Sequence, residues 1–186
     1  MRRTKAIFLD RDGTIIRHVP YLHEPAKVKI ISNAARAIKL INRLGFLAIV
    51  ITNQPVIAHG LIDPVGVDHI HALIIRRLAK KGAKVDAVYF CPHHPNGTVK
   101  KYKLRCRCRK PNTGMIIKAV RKFNIDIKKS FVVGDETADV MLGKKAGLRS
   151  ILIKTGRGGK DAKFKVAPDF HAQNLNEAIK LIKLYA

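Results

Sequence analysis

The sequence predicts an α/β fold: a doubly wound, Rossmann-like parallel sheet with helices on both faces. Three observations predict it. Short apolar runs rich in Ile, Val and Phe alternate along the chain with stretches whose apolar residues recur at helical spacing. Strand and helix alternate throughout, which implies right-handed crossovers between parallel strands. Acids, hydroxyls and amides directly follow three of the apolar runs, at the strand ends where such sheets gather their ligands.

Ala6–Leu9, Phe46–Ile51, Val85–Phe90, Phe131–Val133 and Ser150–Ile153 read as buried strands. Between them, Asn33–Leu44 reads as a helix with Ala34, Ala37, Ile38 and Ile41 on one face. Val65–Lys80 continues the pattern through Ile70, Leu73, Ile74 and Leu78, with His69 and His71 interrupting its polar face. Thr113–Phe123 and Glu136–Lys145 are two more helices, the second followed by Gly147 in a helix-stop position. Asn174–Tyr185 is a last helix, with Asn174 placed as its N-cap. Two segments stand outside the alternation, Arg17–Ile31 and the insertion Cys91–Pro111. Gly156–Lys165, rich in glycine and basic residues, reads as a mobile surface loop.

The 186 residues suffice for one domain, 1–186, and are too few for two. A hydrophobic share of 47% excludes a disordered chain. No apolar run approaches the roughly 18 residues of a membrane span. The apolar stretch after Met1-Arg2-Arg3-Thr4-Lys5 is too short for a signal-peptide core, so a cytoplasmic protein is expected. Lys and Arg total 37 against 13 Asp and Glu, a formal charge of +24. Such a field attracts phosphorylated metabolites, nucleic acid and anionic lipid alike, and names none of them. No separate hydrophobic stripe stands out, so a monomer is the expectation.

Three strand ends carry chemistry. The first strand runs into Asp10-Arg11-Asp12-Gly13-Thr14, the second into Thr52-Asn53-Gln54 and the fourth into Gly134-Asp135. Singly, Asp12-Gly13 would serve as a turn and Asp135 as a helix cap. With a strand order of 3-2-1-4-5, however, strands one and four are neighbours, and Asp10, Asp12 and Asp135 converge. Close carboxylates repel unless a cation sits among them, and Mg²⁺ suits an all-oxygen set.

A second cluster is made of sulfur. The cysteines, three in number, stand at 91, 106 and 108, an arrangement that argues against a disulfide framework. Cys91, Cys106 and Cys108 with one imidazole from Cys91-Pro92-His93-His94-Pro95 form a Cys₃His set, the closed tetrahedral pattern of structural zinc. Chemistry alone allows either His93 or His94. A zinc loop over 91–108 would fold an insertion with little apolar content and fix Arg109 and Lys110, which follow it.

Asp10-Arg11-Asp12-Gly13-Thr14, Thr52-Asn53-Gln54, Arg109-Lys110-Pro111 and Gly134-Asp135 resemble, in order and spacing, the four motifs of the haloacid dehalogenase superfamily phosphatases. The resemblance spans Ala6 to about Gly156 and implies a sheet domain with no large cap. It implies Asp10 as the nucleophile that forms an aspartyl-phosphate, and Asp12 as the acid and then the base. Thr52 and Lys110 would hold the phosphoryl oxygens, with Asn53 and Gln54 beside the substrate. Mg²⁺ would be bound by Asp10, the backbone carbonyl of Asp12, and Asp135. The family's Cys-x-His pattern selects His93 as the zinc ligand.

Within that superfamily the zinc loop resembles those of the D-glycero-D-manno-heptose-1,7-bisphosphate phosphatases and the histidinol-phosphate phosphatases. The 15 positions from Cys91 to Cys106 and the segment Tyr21-Leu22-His23-Glu24-Pro25 favour the heptose enzymes. That match implies a small phosphorylated sugar as partner. It puts His18, Val19, Pro20 and Tyr21 along the sugar pocket and Arg109 against the substrate. Several positions depart from the pattern. Pro55 replaces a serine, His59 an arginine, and Glu136 a frequent lysine. A phosphatase for 3′-phosphorylated nucleic-acid ends would suit the charge, but with 6% aromatic residues the chain has few stacking platforms. The intact acid and lysine set argues against a non-catalytic, zinc-stabilised nucleic-acid-binding module.

Overall fold

The computed structural model describes residues 3–185. A six-stranded, all-parallel sheet runs in the order β3-β2-β1-β4-β5-β6. Its strands are β1 (Ala6–Leu9), β2 (Leu47–Asn53), β3 (Ala87–Cys91), β4 (Phe131–Gly134), β5 (Arg149–Ile153) and β6 (Phe170–Ala172). The helices are α1 (Ala34–Arg43), α2 (Pro64–Ala79), α3 (Gly114–Phe123), α4 (Thr137–Ala146) and α5 (Leu175–Tyr185). The order predicted for the first five strands is the order observed. β6 was not anticipated, because three residues with an exposed His171 at their centre carry too little apolar pattern.

The strands are apolar throughout because both sheet faces are covered. Side chains alternate between two cores, as the pleat requires. Ile7 and Leu9 of β1 with Ala48 and Val50 of β2 pack toward α1, α2 and α5. Ala6, Phe8, Ile49 and Ile51 point the other way, onto Met115, Ile116 and Ala119 of α3 and Leu142 of α4. α1, α3 and α5 each present an apolar stripe to the sheet, and two helix ends carry clear caps. Asp63 caps α2 by accepting from Gly66 N at 2.7 Å, with Pro64 as its first residue. Gly147 ends α4 at φ 71°.

This architecture brings the carboxyl ends of β1, β2 and β4 to one edge, with β1 between the other two. The segments outside the alternation cover that edge. After β1 the chain folds back on itself, with Arg17 N donating to Lys29 O and an antiparallel bridge between Ile16 and Ile30. The cysteine insertion docks on the turn after β2, where Thr98 N and Val99 N both donate to Ala58 O. Residues 156–165, expected to be a free loop, are instead tied to the sheet edge. Gly159 N donates to Asp135 O, and Asp161 accepts from both Thr137 N and Thr137 Oγ1.

Candidate active site

Asp10 is the first residue beyond β1, and its backbone N–H donates to Val133 O of β4. Lys110 reaches it from the far side of the cleft. Lys110 Nζ lies 2.5 Å from Asp10 Oδ1 and 2.6 Å from Asp139 Oδ1, and all three side chains are buried. Asp135, at the end of β4, completes the group; one oxygen from each of Asp10, Asp135 and Asp139 lies within 4.8 Å of the others.

The converging acids are therefore not the expected trio. The carboxylate of Asp12 turns away, drawn to Arg11 at 3.0 Å and to Gln54 Nε2 at 3.0 Å, and Asp139 takes its place in the cluster. Asp139 stands one helical turn beyond Asp135, so the two reach the same point. That spacing was the signal available in the sequence, hidden because α4 reads as an ordinary surface helix. Asp139 Oδ1 takes Lys110 and its Oδ2 takes Glu136 N at 3.2 Å, so both oxygens are engaged.

Burial dominates the electrostatics. It pushes the Asp10 carboxyl well above its ordinary value, with Lys110 opposing and the charges of Asp139, Asp135 and Asp12 adding to the rise. Asp135 is pushed up to about 7, first by burial, with the Arg157 N–H pulling it back and Asp139 and Glu136 raising it. Lys110 is drawn down by burial, but the charges of Asp10 and Asp139 and their hydrogen bonds outweigh this and hold the ammonium above its usual range. One ammonium does not balance three buried acids, and Asp135 Oδ1 is buried with no hydrogen-bond partner. A hard divalent cation fits that oxygen set. The backbone is packed tightly here: a Cβ on Gly13 (φ 81°) or on Gly156 (φ 63°) would overlap Asp135 Oδ2.

The side chains of β2 work on the protein's own groups. Asn53 clasps the Lys110 backbone, accepting its N–H at 2.9 Å and donating to its carbonyl at 3.3 Å. Gln54 Nε2 donates to Asp12 Oδ2 and to Thr52 Oγ1, the latter at 2.8 Å. Thr52, Asn53 and Gln54 all line a cleft of about 880 Å³ with Asp10 and Lys110 at its floor. His18, Val19, Pro20 and Tyr21 form part of one wall, and Arg109 stands beside Lys110. Arg157 was not anticipated at this cleft. Its N–H bonds Asp135 Oδ2 at 2.7 Å, and its side chain lines the mouth.

The sulfur cluster also comes together. Its Sγ atoms lie 3.4 Å (Cys91–Cys106), 3.3 Å (Cys106–Cys108) and 3.0 Å (Cys108–Cys91) apart, with His93 Nδ1 3.3 Å from Cys108 Sγ. Three thiolates around one zinc at 2.3 Å stand about 3.8 Å apart, so the set needs only a slight expansion to hold it. His94 faces elsewhere; its Nδ1 accepts from Asn96 N at 3.1 Å. Arg109 N donates to Cys106 Sγ at 3.3 Å, which connects the cluster to the Arg109-Lys110 pair.

A family model described as HAD-hydrolase-like matches residues 107–178. The D-glycero-beta-D-manno-heptose-1,7-bisphosphate 7-phosphatase of Pasteurella multocida is 38% identical over 154 residues, covering 82% of this chain and 83% of that protein. The chain belongs to the haloacid dehalogenase-like phosphatase family. It is a phosphoric monoester hydrolase. The D-glycero-alpha-D-manno-heptose-1,7-bisphosphate 7-phosphatase of Photorhabdus laumondii is 39% identical, covering 83% of this chain and 85% of its own. A D,D-heptose 1,7-bisphosphate phosphatase from B. bronchiseptica, solved with magnesium and phosphate, has a TM-score of 0.86 and 28% identity. It covers 98% of this chain and is itself covered completely, at 100%.

Three departures from the family pattern, Glu136, His59 and Pro55, have a local setting in this phosphatase. Glu136 is flanked by two cations, Arg157 Nε at 3.0 Å and Lys163 Nζ at 3.4 Å, so its charge is offset where it faces the cleft. His59 sits between Tyr21 and His94, with ring centroids 5.3 and 5.2 Å away, as part of an aromatic rim. Pro55 lines the cleft and brings no N–H to it.

Proposed function

We propose that this phosphatase removes the 7-phosphate of D-glycero-D-manno-heptose 1,7-bisphosphate through an aspartyl-phosphate on Asp10. The observation that carries it is the contact of Lys110 Nζ with Asp10 Oδ1 at the floor of a large cleft with a basic mouth. A carboxylate can approach an anionic phosphate only where its repulsion is offset, and the ammonium in contact with it does so. The names of the relatives support the heptose substrate, and the wall from His18 to Tyr21 has room for a sugar.

In this scheme Asp10 attacks phosphorus while Asp12 gives a proton to the leaving oxygen; Asp12 then takes a proton from the water that releases phosphate. Thr52 and Lys110 hold the transferring oxygens. Mg²⁺, bound by Asp10, Asp135 and the carbonyl of Asp12, would supply charge neutralisation on the phosphoryl group. Zinc on Cys91, His93, Cys106 and Cys108 would be structural. The chain acts as one domain, a monomer working in the cytoplasm. No helix among the described residues is long and apolar enough to cross a membrane.

A substrate panel with Mg²⁺ tests the assignment: both anomers of heptose 1,7-bisphosphate, histidinol phosphate and a 3′-phosphorylated oligonucleotide. One heptose anomer should give the highest kcat/KM. A preference for the oligonucleotide, lost steeply with added salt, would overturn it.

A further inference from the structure

Arg11 heads the largest fully buried side chains of the protein at 1% exposed, although it sits between the two acids of the first motif. Its guanidinium makes four hydrogen bonds: Nε to Asp12 Oδ2 (3.0 Å), Nη2 to Asp12 Oδ1 (3.0 Å), Nη2 to Gln54 Oε1 (2.8 Å) and Nη1 to His71 Nε2 (3.1 Å). Arginine has only donors, so His71 Nε2 accepts and its proton lies on Nδ1. His71 is itself 5% exposed, on α2, with its ring 5.4 Å from that of Phe90. Burial and then the charge of Arg11 push His71 down to about 3, so it remains a neutral acceptor. Gln54 completes the ring of contacts through Asp12 Oδ2.

Arg11 belongs to the cleft lining, yet at 1% exposure its guanidinium is directed at Asp12, Gln54 and His71. A buried guanidinium adds little to stability compared with an apolar residue of the same size, so stability alone gives it no reason to be there. What it does is grip both oxygens of Asp12, whose side chain is 19% exposed at the cleft, and brace them against a helix of the main core.

We propose that Arg11, braced from α2 by His71, is a positioning residue that holds the Asp12 carboxyl in place for both proton transfers. The proposal rests on the role assigned to Asp12 above. In the first transfer the bond from phosphorus to the leaving oxygen breaks as Asp10 bonds to phosphorus, and the proton of Asp12 goes to the departing oxygen. In the second, water oxygen bonds to phosphorus, the bond to Asp10 breaks, and the water proton goes to Asp12.

The test uses a substrate that needs no acid. With 2,4-dinitrophenyl phosphate the first step requires no proton, so kcat/KM reports phosphorylation alone while kcat still includes hydrolysis. In the Mg²⁺-loaded enzyme, Arg11→Met should lower kcat/KM for heptose 1,7-bisphosphate about 30- to 100-fold. With 2,4-dinitrophenyl phosphate, kcat/KM should stay within about threefold while kcat falls about tenfold or more. His71→Leu should give the same pattern at about a tenfold loss, and His71→Gln, whose amide oxygen accepts from Nη1, should stay within about threefold of the unmodified enzyme. If Arg11→Met fails to fold by circular dichroism, the two His71 variants decide. Equal losses on both substrates, or none, in folded variants would overturn the inference. Asp12→Asn is the control: if it too lacks the substrate difference, the role of Asp12 itself fails, whereas a difference there and not in the Arg11 and His71 variants removes this inference alone.

Discussion

The acid cluster and the sulfur cluster are built in opposite ways. Asp10 and Asp135 extend from neighbouring strands of the sheet, and Asp139 follows on the helix that β4 feeds. Their placement is a consequence of strand order, and Lys110 is already seated among them. Of the sulfur ligands only Cys91 belongs to a strand; His93, Cys106 and Cys108 come from a segment whose longest regular element is the 3₁₀ turn Lys100–Tyr102. The first cluster gathers its carboxylate oxygens on residues that the sheet and its following helix already place. In the second, burial pushes the Cys91 thiol well above its ordinary value, and only a metal makes thiolates favourable together. In the proposed function the first set would hold a cation that serves chemistry, the second a cation that serves architecture.

The sharpest consequence of that contrast is at Asp10. An amide cannot attack phosphorus, so Asp10→Asn should reduce turnover to background while circular dichroism and zinc content stay unchanged. Normal turnover by the folded variant would remove the mechanism. Next come the ions themselves. Metal analysis should find about one zinc per chain, resistant to mild chelation that strips Mg²⁺. Removing Mg²⁺ should abolish activity reversibly without exposing any segment to protease. Stripping zinc with a stronger chelator should open residues 91–108 to proteolysis and lower the melting temperature, with activity lost because Lys110 is released. Proteolysis that spares this loop after zinc removal would show that zinc does not fold it.

Smaller effects are expected at Asp139 and His71. Asp139→Asn leaves Lys110 with one charged partner, and kcat should fall about 10- to 100-fold with the melting temperature nearly unchanged, as steady-state kinetics and thermal denaturation would show. His71 supplies a pH signature. It ionises near 6.5 unfolded and near 3 folded, so between those values the unfolded chain binds the extra proton. The stability it contributes is present above about 6.5 and is lost as pH falls toward 3, by at most about 1.4 kcal/mol per pH unit. Urea titrations across that window should show a steeper decline for the unmodified protein than for His71→Gln.

Much of this was legible in the residues, for reasons that also explain what was not. Ala6–Leu9 and Phe131–Gly134 are continuous apolar runs because both faces of the sheet are covered, and the acids after them stand out against that background. Cysteine and histidine are distinctive enough for the sulfur set to be named before any coordinates. Asp139 was missed because a carboxylate on a helix ordinarily faces water, and only the neighbouring ends of β1 and β4 show that this one does not. Asn53 and Gln54 were expected beside the substrate; their amides engage Lys110 and Asp12, far away in sequence, where no local pattern encodes the contact, and Gln54 also reaches Thr52 two residues back. The segment 156–165 looked like a free loop because its bonds to Asp135 and Thr137 run mainly through backbone N–H groups and through Asp161.

The covalent step at Asp10 leaves an acyl phosphate that chemical trapping can read out. With Asp12→Asn in Mg²⁺, 2,4-dinitrophenyl phosphate should phosphorylate the enzyme readily, while loss of the base slows hydrolysis and lets the intermediate accumulate. Quenching, reduction with borohydride and peptide mass analysis should then find homoserine in place of aspartate at position 10, and only when substrate was present. Dinitrophenol released over many turnovers with Asp10 unaltered, or homoserine at another aspartate, would contradict the mechanism.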